Sequence, residues 1–208
     1  MMFLIAAQLL EKLGPLCPKV VRVYGEMQEN LDFPIPRDLM KPSKPKQKKE
    51  EHLQDISLHF LIRKPNKPYS KRILDFDHKF AVNQQTPEMV TEDELKQYRK
   101  LINEANIEEL KQYDIVLTTC SGSGSKRIKR GTNVAQIIID ECAMCMEPEA
   151  LVPLVSFGSA EKVVLIGDHK QLQPIVMNRD AKHLGLERSL FERYAHKAIM
   201  LDTQYRMV

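Results

Sequence analysis

Short, uninterrupted runs of aliphatic residues recur along the chain and are the main feature of its C-terminal half. Such runs are typical of strands that lie in a parallel sheet and are covered by helices on both faces. Helical patterns at 147–155 and 189–196 alternate with them, and this alternation predicts an α/β fold. The predicted strands are Val20–Tyr24, Ile115–Leu117, Ile137–Ile139, Val163–Ile166 and Ala198–Leu201.

The N-terminal half has the three-to-four-residue spacing of amphipathic helices, which predicts helices at Met2–Leu13 and Glu50–Arg63. A third helix follows Thr91, because Thr91 and Glu94 have the spacing of a capping box. Between these helices, residues 34–49 contain four prolines and five lysines with few apolar residues. That composition predicts a solvated linker.

Composition narrows the class of protein without identifying a function. Hydrophobic residues make up 43% of the 208 positions, which excludes wholesale disorder. The net charge of +3 is mild, although residues 37–79 carry twelve basic against six acidic side chains. Four cysteines without disulfide spacing, no basic signal-peptide start and no apolar run of membrane-spanning length predict an intracellular protein with no membrane segment.

Paired carboxylates follow one predicted strand directly, at Asp140 and Glu141. The carboxyl ends of parallel strands form the edge at which α/β sheets bind ligands. One carboxylate there can hold Mg²⁺ beside the phosphates of a nucleotide, and its neighbour can deprotonate an attacking water. The same dipeptide could instead cap the helix near Pro148, and the residues alone leave both interpretations open.

Polar clusters also follow the next two predicted strands. Gly167–Pro174 contains Gln171 and Gln173, either of which could hydrogen bond to a terminal phosphate. Tyr205 and Arg206 follow the last strand and could stack on a base and stabilise phosphoryl charge. The basic run 126–130 could hold the phosphates of a strand or be a solvated loop. Cys142 and Cys145 have zinc-like spacing, but no second pair lies at a suitable distance.

Three of these clusters together resemble a known family. The sequences D-E-C-A at 140–143, G-D-H-K-Q-L-Q-P at 167–174 and Q-Y-R-M at 204–207 resemble motifs II, III and IV of the superfamily-one helicases of the up-frameshift type. The segments 21–26 and 32–36 also resemble that group, most nearly its zinc-finger members. The resemblance implies a P-loop NTPase domain of RecA-like fold, a parallel sheet with helices on both faces and a helical insertion.

The resemblance also implies roles for particular residues, with ATP and Mg²⁺ as cofactors. Asp140 would hold Mg²⁺, Glu141 would activate water, Gln171 would sense the γ-phosphate, and Asp168 would lie in the same ATP site. Outside that motif, Tyr205 would stack on adenine and Arg206 would be an arginine finger. The segment after the Asp114 strand resembles motif Ic, so the expected nucleic-acid contacts are Thr119, Ser121, Gly122, Lys126 and Arg127.

The implied domain plan has three parts: the start of a RecA-like core at 1–36, a basic linker and helical insertion at 37–112, and the rest of the core at 113–208. None of the eight glycines is followed by lysine, so the phosphate-loop pattern GxxxxGK(S/T) is absent. The nearest look-alike, 121–126, has the wrong spacing. We therefore expect a fragment that is inactive alone and lacks the second RecA-like domain. It would belong to a helicase acting on single-stranded RNA or DNA; the alternative is a non-catalytic regulatory fragment that binds RNA or a partner.

Overall fold

The computed structural model describes residues 18–36, 51–82, 90–201 and 203. The chain divides into two compact units, an N-terminal unit (Met1–Asn133) and a C-terminal unit (Val134–Val208). Each unit is described by itself. The predicted helix at Met2–Leu13 and the candidate residues Tyr205 and Arg206 lie outside the described residues.

The N-terminal unit contains two parallel strands and a larger helical part. In chain order its elements are β1 (Val20–Arg22), α1 (Glu26–Asp32), a 3₁₀ segment (Glu51–Ile56), α2 (Leu58–Leu61), α3 (Ser70–Val82), α4 (Glu92–Leu110), β2 (Ile115–Leu117), α5 (Cys120–Ser123) and α6 (Lys126–Gly131).

Strands β1 and β2 pair in parallel, with Val21 opposite Val116. All three residues of β1 are buried, as expected for a strand covered on both faces. The pairing is fixed just before both strands, where the Lys19 amide donates to Asp114 Oδ2 at 2.9 Å. The predicted strands at these two positions are therefore confirmed, and β1 ends two residues earlier than predicted.

Helices α3 and α4 pack around a buried polar group. The Arg63 guanidinium donates from Nε to Asp77 Oδ2 at 2.7 Å, and Tyr98 Oη donates to Asp77 Oδ1 at 2.7 Å. Phe80 packs edge-on against Tyr98 at 4.9 Å between ring centroids. Because each buried polar atom of this group has a partner, it can sit in an otherwise apolar core without a large desolvation cost.

The C-terminal unit is a smaller α/β arrangement. Its elements are β3 (Gln136–Ile139), a 3₁₀ turn (Cys142–Met144), α7 (Glu147–Ser156), β4 (Lys162–Leu165), α8 (Arg179–His183), α9 (Leu190–Tyr194) and a 3₁₀ turn (Ala195–Lys197). Strands β3 and β4 pair in parallel, with Ile137 opposite Val163 and Ile138 opposite Val164. The parallel strands and intervening helices agree with the predicted α/β class.

Two predicted elements differ from the structure. The helix expected at Glu50–Arg63 is divided at Ser57, whose extended backbone forms a bridge with Arg22 and whose Oγ donates to Leu53 O at 2.5 Å. This local hydroxyl bond competes with the helical ladder and ends the 3₁₀ segment. The run Ala198–Leu201 is not a strand, and Ile199 is 89% exposed. A strand needs a hydrogen-bonded neighbour, and within the described residues the sheet of this unit consists of β3 and β4.

Five helices were not predicted individually: α1, α3, α5, α6 and α8. Of these, α3 falls within the predicted helical insertion at 37–112. Helix α6 covers the basic run for which a solvated loop was one interpretation, and Ile128 is its buried anchor. Within the described ranges, no helix combines the length and apolar composition that crossing a bilayer requires.

Candidate functional site

The C-terminal unit brings two polar clusters to one edge of its sheet. Asp140 and Glu141 follow β3, while Gly167 and Asp168 follow β4. Since β3 and β4 are parallel and hydrogen bonded to each other, both clusters emerge at the same carboxyl edge. Asp140 and Glu141 are both half-buried.

Glu141 has an unusual backbone conformation. Its φ is 54° and its ψ is 32°, in the left-handed region, and among the described non-glycine residues it is the one with positive φ. A non-glycine residue in that conformation costs about 1–2 kcal/mol. Such strain persists where surrounding contacts determine it, and it concentrates at functional sites.

The contacts that hold this turn come from the neighbouring strand. The Cys142 amide donates to Ile166 O at 2.8 Å, and the Ile166 amide donates to Ile139 O at 2.8 Å. Gly167 lies so close that a Cβ there would be 2.8 Å from the Ala143 amide nitrogen. The absence of a side chain at Gly167 therefore lets the two strand ends approach each other.

Asp168 and Gln171 form a local pair beyond β4. Asp168 Oδ1 accepts from the Lys170 amide at 2.9 Å, and Asp168 Oδ2 accepts from Gln171 Nε2 at 3.0 Å. The Lys170 amide first, and the Gln171 amide second, hold the pKa of the Asp168 carboxyl below its ordinary value. The carboxylate thus orients Gln171 and leaves its second N–H and its Oε1 for another partner.

The edge residues fit Mg²⁺ bound together with a nucleotide. No group of three or more His, Cys, Asp or Glu side chains suited to holding a metal occurs among the described residues. A protein cage for a metal is therefore not formed there. Mg²⁺ nevertheless needs few protein ligands, since it keeps several waters and takes oxygens from carboxylates and phosphates. Asp140 supplies one such carboxylate at a half-buried position.

The zinc-like pair of cysteines makes other contacts. Cys142 is fully buried, whereas Cys145 is partly exposed and its Sγ donates to Glu149 Oε2 at 3.6 Å. Glu149 belongs to α7, which begins two residues after Cys145. Cys145 therefore contacts the first turn of that helix.

The candidate nucleic-acid residues lie in the N-terminal unit, around α5 and α6. Thr119 is the N-cap of α5, and its Oγ1 accepts from the Gly122 amide at 3.0 Å. A Cβ on Gly122 would lie 2.7 Å from Thr118 Oγ1 and 3.0 Å from the capping Thr119 Oγ1, so a larger residue would crowd the cap. Ser121 and Lys126 are exposed. The Thr119 cap thus fixes the start of α5, while the side chains of Ser121 and Lys126 remain accessible to solvent.

Arg127 is already bound within the N-terminal unit. Its Nη1 donates to Glu29 Oε2 at 2.8 Å and its Nη2 donates to the Tyr24 carbonyl at 2.7 Å. Both the Arg127 and Glu29 side chains are largely buried, with exposures of 13% and 14%. The bond to Glu29 fastens α6 to α1, and the bond to Tyr24 fastens α6 to the turn between β1 and α1. A phosphate contact by Arg127 would have to use its other N–H groups.

A cleft of about 1010 Å³ opens in the N-terminal unit. Its walls come from the turn after β1, from α1, α2 and α4, and from the segment that joins α5 to α6. Of the residues in this wall, Ser121, Gly122, Lys126 and Arg127 were predicted from the sequence, and those on α1, α2 and α4 were not. The missed residues lie on three separate helices, so no local spacing signals that they face one cleft.

Comparisons with known proteins agree with this architecture. The AAA_11 family, described as an AAA domain, matches residues 18–179. The human protein "3'-5' exoribonuclease HELZ2" is 45% identical over 193 residues, which are 91% of this chain and 6% of that protein. "ATP-dependent helicase NAM7" of Saccharomyces cerevisiae is 34% identical over 199 residues, 94% of this chain and 18% of that protein. "ATP-dependent helicase upf1" of Schizosaccharomyces pombe is 32% identical over 204 residues, 96% of this chain and 19% of that protein.

These matches confirm two predictions made from the sequence. The resemblance to superfamily-one helicases of the up-frameshift type is confirmed, and so is the P-loop NTPase class of the fold. The chain spans less than a fifth of the length of these relatives.

Proposed function

Since this chain belongs to the AAA_11 family of AAA domains, we propose that it serves an ATP-dependent helicase that moves along single-stranded RNA. The helicase-type domain follows from the family, and nucleotide and metal use are general properties of that family. RNA, as opposed to DNA, is favoured by the similarity to a protein named an exoribonuclease. We further propose an intracellular location, in the cytoplasm or nucleus, from the cysteine pattern.

The observation that carries the proposal is the shared carboxyl edge of β3 and β4. It places an acidic pair after one strand and an oriented amide after the next, within one hydrogen-bonded sheet. The paired carboxylates could in isolation be helix caps, but Glu141 precedes the 3₁₀ turn and makes no side-chain cap bond there. The N-cap of α7 is Met146, which lies five residues further along the chain.

Each residue of this edge has a distinct proposed role. Mg²⁺, when bound, would neutralise phosphate charge, with Asp140 as the protein carboxylate that holds it. Glu141 would accept a proton from the attacking water. Gln171 would donate its remaining N–H to the terminal phosphate, and Asp168 would hold that amide in position. Tyr205 and Arg206 stay predicted base-stacking and charge-stabilising residues.

We expect little or no turnover from the 208 residues alone. They contain no GxxxxGK(S/T) sequence, whose backbone amides and lysine form the phosphate clamp. Preorganised clamps of this kind are a dominant part of phosphoryl-transfer catalysis. The proposed work of this chain is therefore to supply the metal carboxylate, the base and the sensor.

Nucleotide binding and hydrolysis test these roles separately. A fluorescent ATP analogue should bind the chain more tightly when Mg²⁺ is present, and Asp140→Asn should remove that difference. Any RNA-stimulated hydrolysis should disappear in Glu141→Gln, which keeps the side-chain size. Glu161→Gln is the matched control, because Glu161 is exposed and precedes β4, at the opposite end of the sheet from the carboxyl edge.

Other outcomes would favour the alternative. If Mg²⁺ has no effect on analogue binding, or Asp140→Asn and Glu161→Gln behave alike, the nucleotide site is not at this edge. Strand binding that persists without any nucleotide binding would then favour a non-catalytic fragment that binds RNA.

A further inference from the structure

Helix α9 contacts both segments that carry the proposed nucleotide residues. Just before the helix, Ser189 forms an antiparallel backbone bridge with Met146, the N-cap of α7. Two residues further, Phe191 packs its ring against the His169 imidazole, with 6.4 Å between the centroids and 33° between the planes. The segment after β3 and the segment after β4 are thus each joined to the same short helix.

The start of α9 is fixed in the interior of the C-terminal unit. Ser189 is 1% exposed, and as the N-cap of the helix its Oγ accepts from the Glu192 amide at 3.1 Å. Leu190, the next residue, is 6% exposed. Helices this short are marginal without outside contacts, so the buried cap and the apolar anchor keep α9 formed. The helix can therefore support the segments that it contacts.

The turn that carries Asp168 and Gln171 is closed by its own hydrogen bonds. The Gln171 amide donates to Asp168 O at 3.2 Å, and Gln171 Nε2 donates to Asp168 Oδ2 at 3.0 Å. Because these bonds are internal, the position of the turn on the sheet has to be set by contacts with other elements. Gly167 supplies one through its close approach to the 3₁₀ turn after β3, and the His169 ring supplies another through α9.

The segment after β3 has a polar contact with the same helix. Arg193 Nη2 donates to Glu147 Oε2 at 2.5 Å, and Glu147 lies in the first turn of α7. The two side chains are 48% and 25% exposed, so the pair is accessible to solvent and salt. Together with the backbone bridge at Met146, the pair holds the residues that follow the 3₁₀ turn Cys142–Met144. That turn begins at the residue next to Glu141.

We propose that α9 positions the two clusters of the sheet edge relative to each other. Phe191 holds the turn of Gln171 through the His169 ring, and Arg193 holds the segment that follows Glu141. The inference rests on the proposed nucleotide function of this edge and adds positioning residues to it. The base and the phosphate sensor must act on one nucleotide at the same time, and a displacement of about 1 Å can lower a rate about a hundredfold.

The test measures the affinity of the full 208-residue chain for a fluorescent ATP analogue in the presence of Mg²⁺. Phe191→Leu and His169→Ala should each weaken binding about three- to tenfold, because each removes one side of the ring contact. Combining them should lose no more than either alone. Phe191→Tyr, which keeps the ring, should bind like the unmodified chain. His169 is exposed, so His169→Ala keeps the fold even if Phe191→Leu does not.

A Gln171→Ala background separates positioning from general stability. If His169 acts through Gln171, His169→Ala should have no further effect in that background, because the group that it positions has been removed. A residue that merely stabilises the unit would cause the same loss of affinity in both backgrounds. That result would overturn the inference.

Charge reversal tests the contact with α7. Arg193→Glu should weaken analogue binding about two- to threefold, because it sets two acids against each other, and Glu147→Arg in the same chain should restore most of the affinity. Tyr194→Leu is the matched control on α9: Tyr194 is 47% exposed, and Lys197 Nζ lies 5.9 Å from its ring centroid, beyond the helix. An equal loss in Arg193→Glu and in the reversed pair would contradict the role of this contact.

Amide hydrogen exchange without nucleotide gives a second readout that does not depend on binding. His169→Ala should speed exchange in residues 168–173, and Arg193→Glu should speed it in residues 142–147, while β3 and β4 exchange as before. Unchanged exchange in both segments would overturn the inference.

The two proposals fail in different ways. If the unmodified chain does not bind the analogue with Mg²⁺, the proposed function is wrong, and exchange still decides whether α9 holds the two segments. If the unmodified chain binds the analogue and the Phe191→Leu, His169→Ala and Arg193→Glu variants bind it as tightly, the inference is overturned and the proposed function stands.

Discussion

At the scale of single residues, Glu141 shows how position and strain are linked. Its carboxylate is the proposed base, and its backbone is left-handed at φ 54°. The Met144 amide donates to Glu141 O at 3.0 Å, and the Cys142 amide donates to the carbonyl of Ile166, which directly follows β4. The turn is thus held by bonds on both sides, which outweigh the cost of an unfavourable φ.

This strain predicts an unusual order of stability for two variants that both remove the carboxylate. Glu141→Gly should have a higher free energy of unfolding than Glu141→Ala, by about 1 kcal/mol, because glycine adopts positive φ without steric cost. Elsewhere in a chain, alanine is normally the more stable of the two. Urea unfolding of both variants measures the difference. Equal stabilities, or a more stable alanine variant, would show that the turn relaxes and stores no strain.

His59 gives a prediction about pH. Burial lowers its pKa in the folded state, with Glu29 and Asp32 opposing that shift. The unfolded state therefore binds the proton more readily than the folded state does. The free energy of unfolding consequently has its full value above about pH 6.5 and decreases as the pH falls below that value. His59→Gln, which retains a donor toward Asp32, should flatten the profile between pH 7 and pH 5. The control is His78→Gln on α3, where the side chain is exposed; an equally flattened profile there would refute the assignment to His59.

At the scale of elements, α4 is the helix whose start the sequence specifies most completely. Both halves of the capping box are present: the Glu94 amide donates to Thr91 Oγ1 at 3.3 Å, and the Thr91 amide donates to Glu94 Oε2 at 3.0 Å. The bond from Lys79, followed by that from the Thr91 amide, lowers the pKa of Glu94. The cap therefore remains charged at neutral pH and continues to satisfy the first turn.

Removing the Thr91 hydroxyl should lower the free energy of unfolding, because the hydrogen bond from the Glu94 amide is lost. Thr91→Ala should lower the free energy of unfolding by about 1 kcal/mol, whereas Thr91→Ser, which keeps the hydroxyl, should cost only a few tenths. Thermal unfolding followed by circular dichroism at 222 nm compares the two variants. If both lose the same stability, the methyl group and not the capping bond is what matters.

Elements with a strong local signal could be predicted, and those that depend on tertiary contacts could not. The capping box located α4, and the aliphatic run located β3. Helix α3 carries Ile73, Phe76 and Phe80 at helical spacing, but charged residues between them obscured the pattern. The run 198–201 has the composition of a strand, yet a strand also needs a neighbour, which composition does not report.

At the scale of the whole molecule, the two candidate sites differ in how far sequence reveals them. The edge residues of the C-terminal unit follow strands directly, so their position along the chain indicates their position in space. The cleft of the N-terminal unit is lined by Glu29, His59 and Asn106, among others, and these three residues come from three different helices. No periodic pattern in the sequence indicates that they lie close together. Only the folded chain brings them to one surface.

The C-terminal unit also exposes much of its sheet, and this exposure leads to a prediction about association. Ile138 is 63% exposed and Val164, its partner in the register, is 45% exposed. Both lie on one face of the sheet, because residues paired in register point to the same side. Within the described residues this sheet has two strands, so each outer edge offers unpaired backbone groups. An open edge beside an apolar face favours pairing with another chain.

We therefore expect the isolated chain to self-associate as its concentration rises. Sedimentation velocity should show a weight-average sedimentation coefficient that increases with concentration, and Ile138→Thr combined with Val164→Thr should reduce that increase, because threonine keeps strand propensity and lowers the apolar area. Val82→Thr is the matched control, since Val82 is 66% exposed on α3, away from this sheet. A chain that sediments as a monomer at every concentration would contradict the prediction, because it would show that the exposed face of the β3–β4 sheet does not drive self-association. An equal effect of Val82→Thr would mean that association depends on exposed apolar area in general and not on the β3–β4 face.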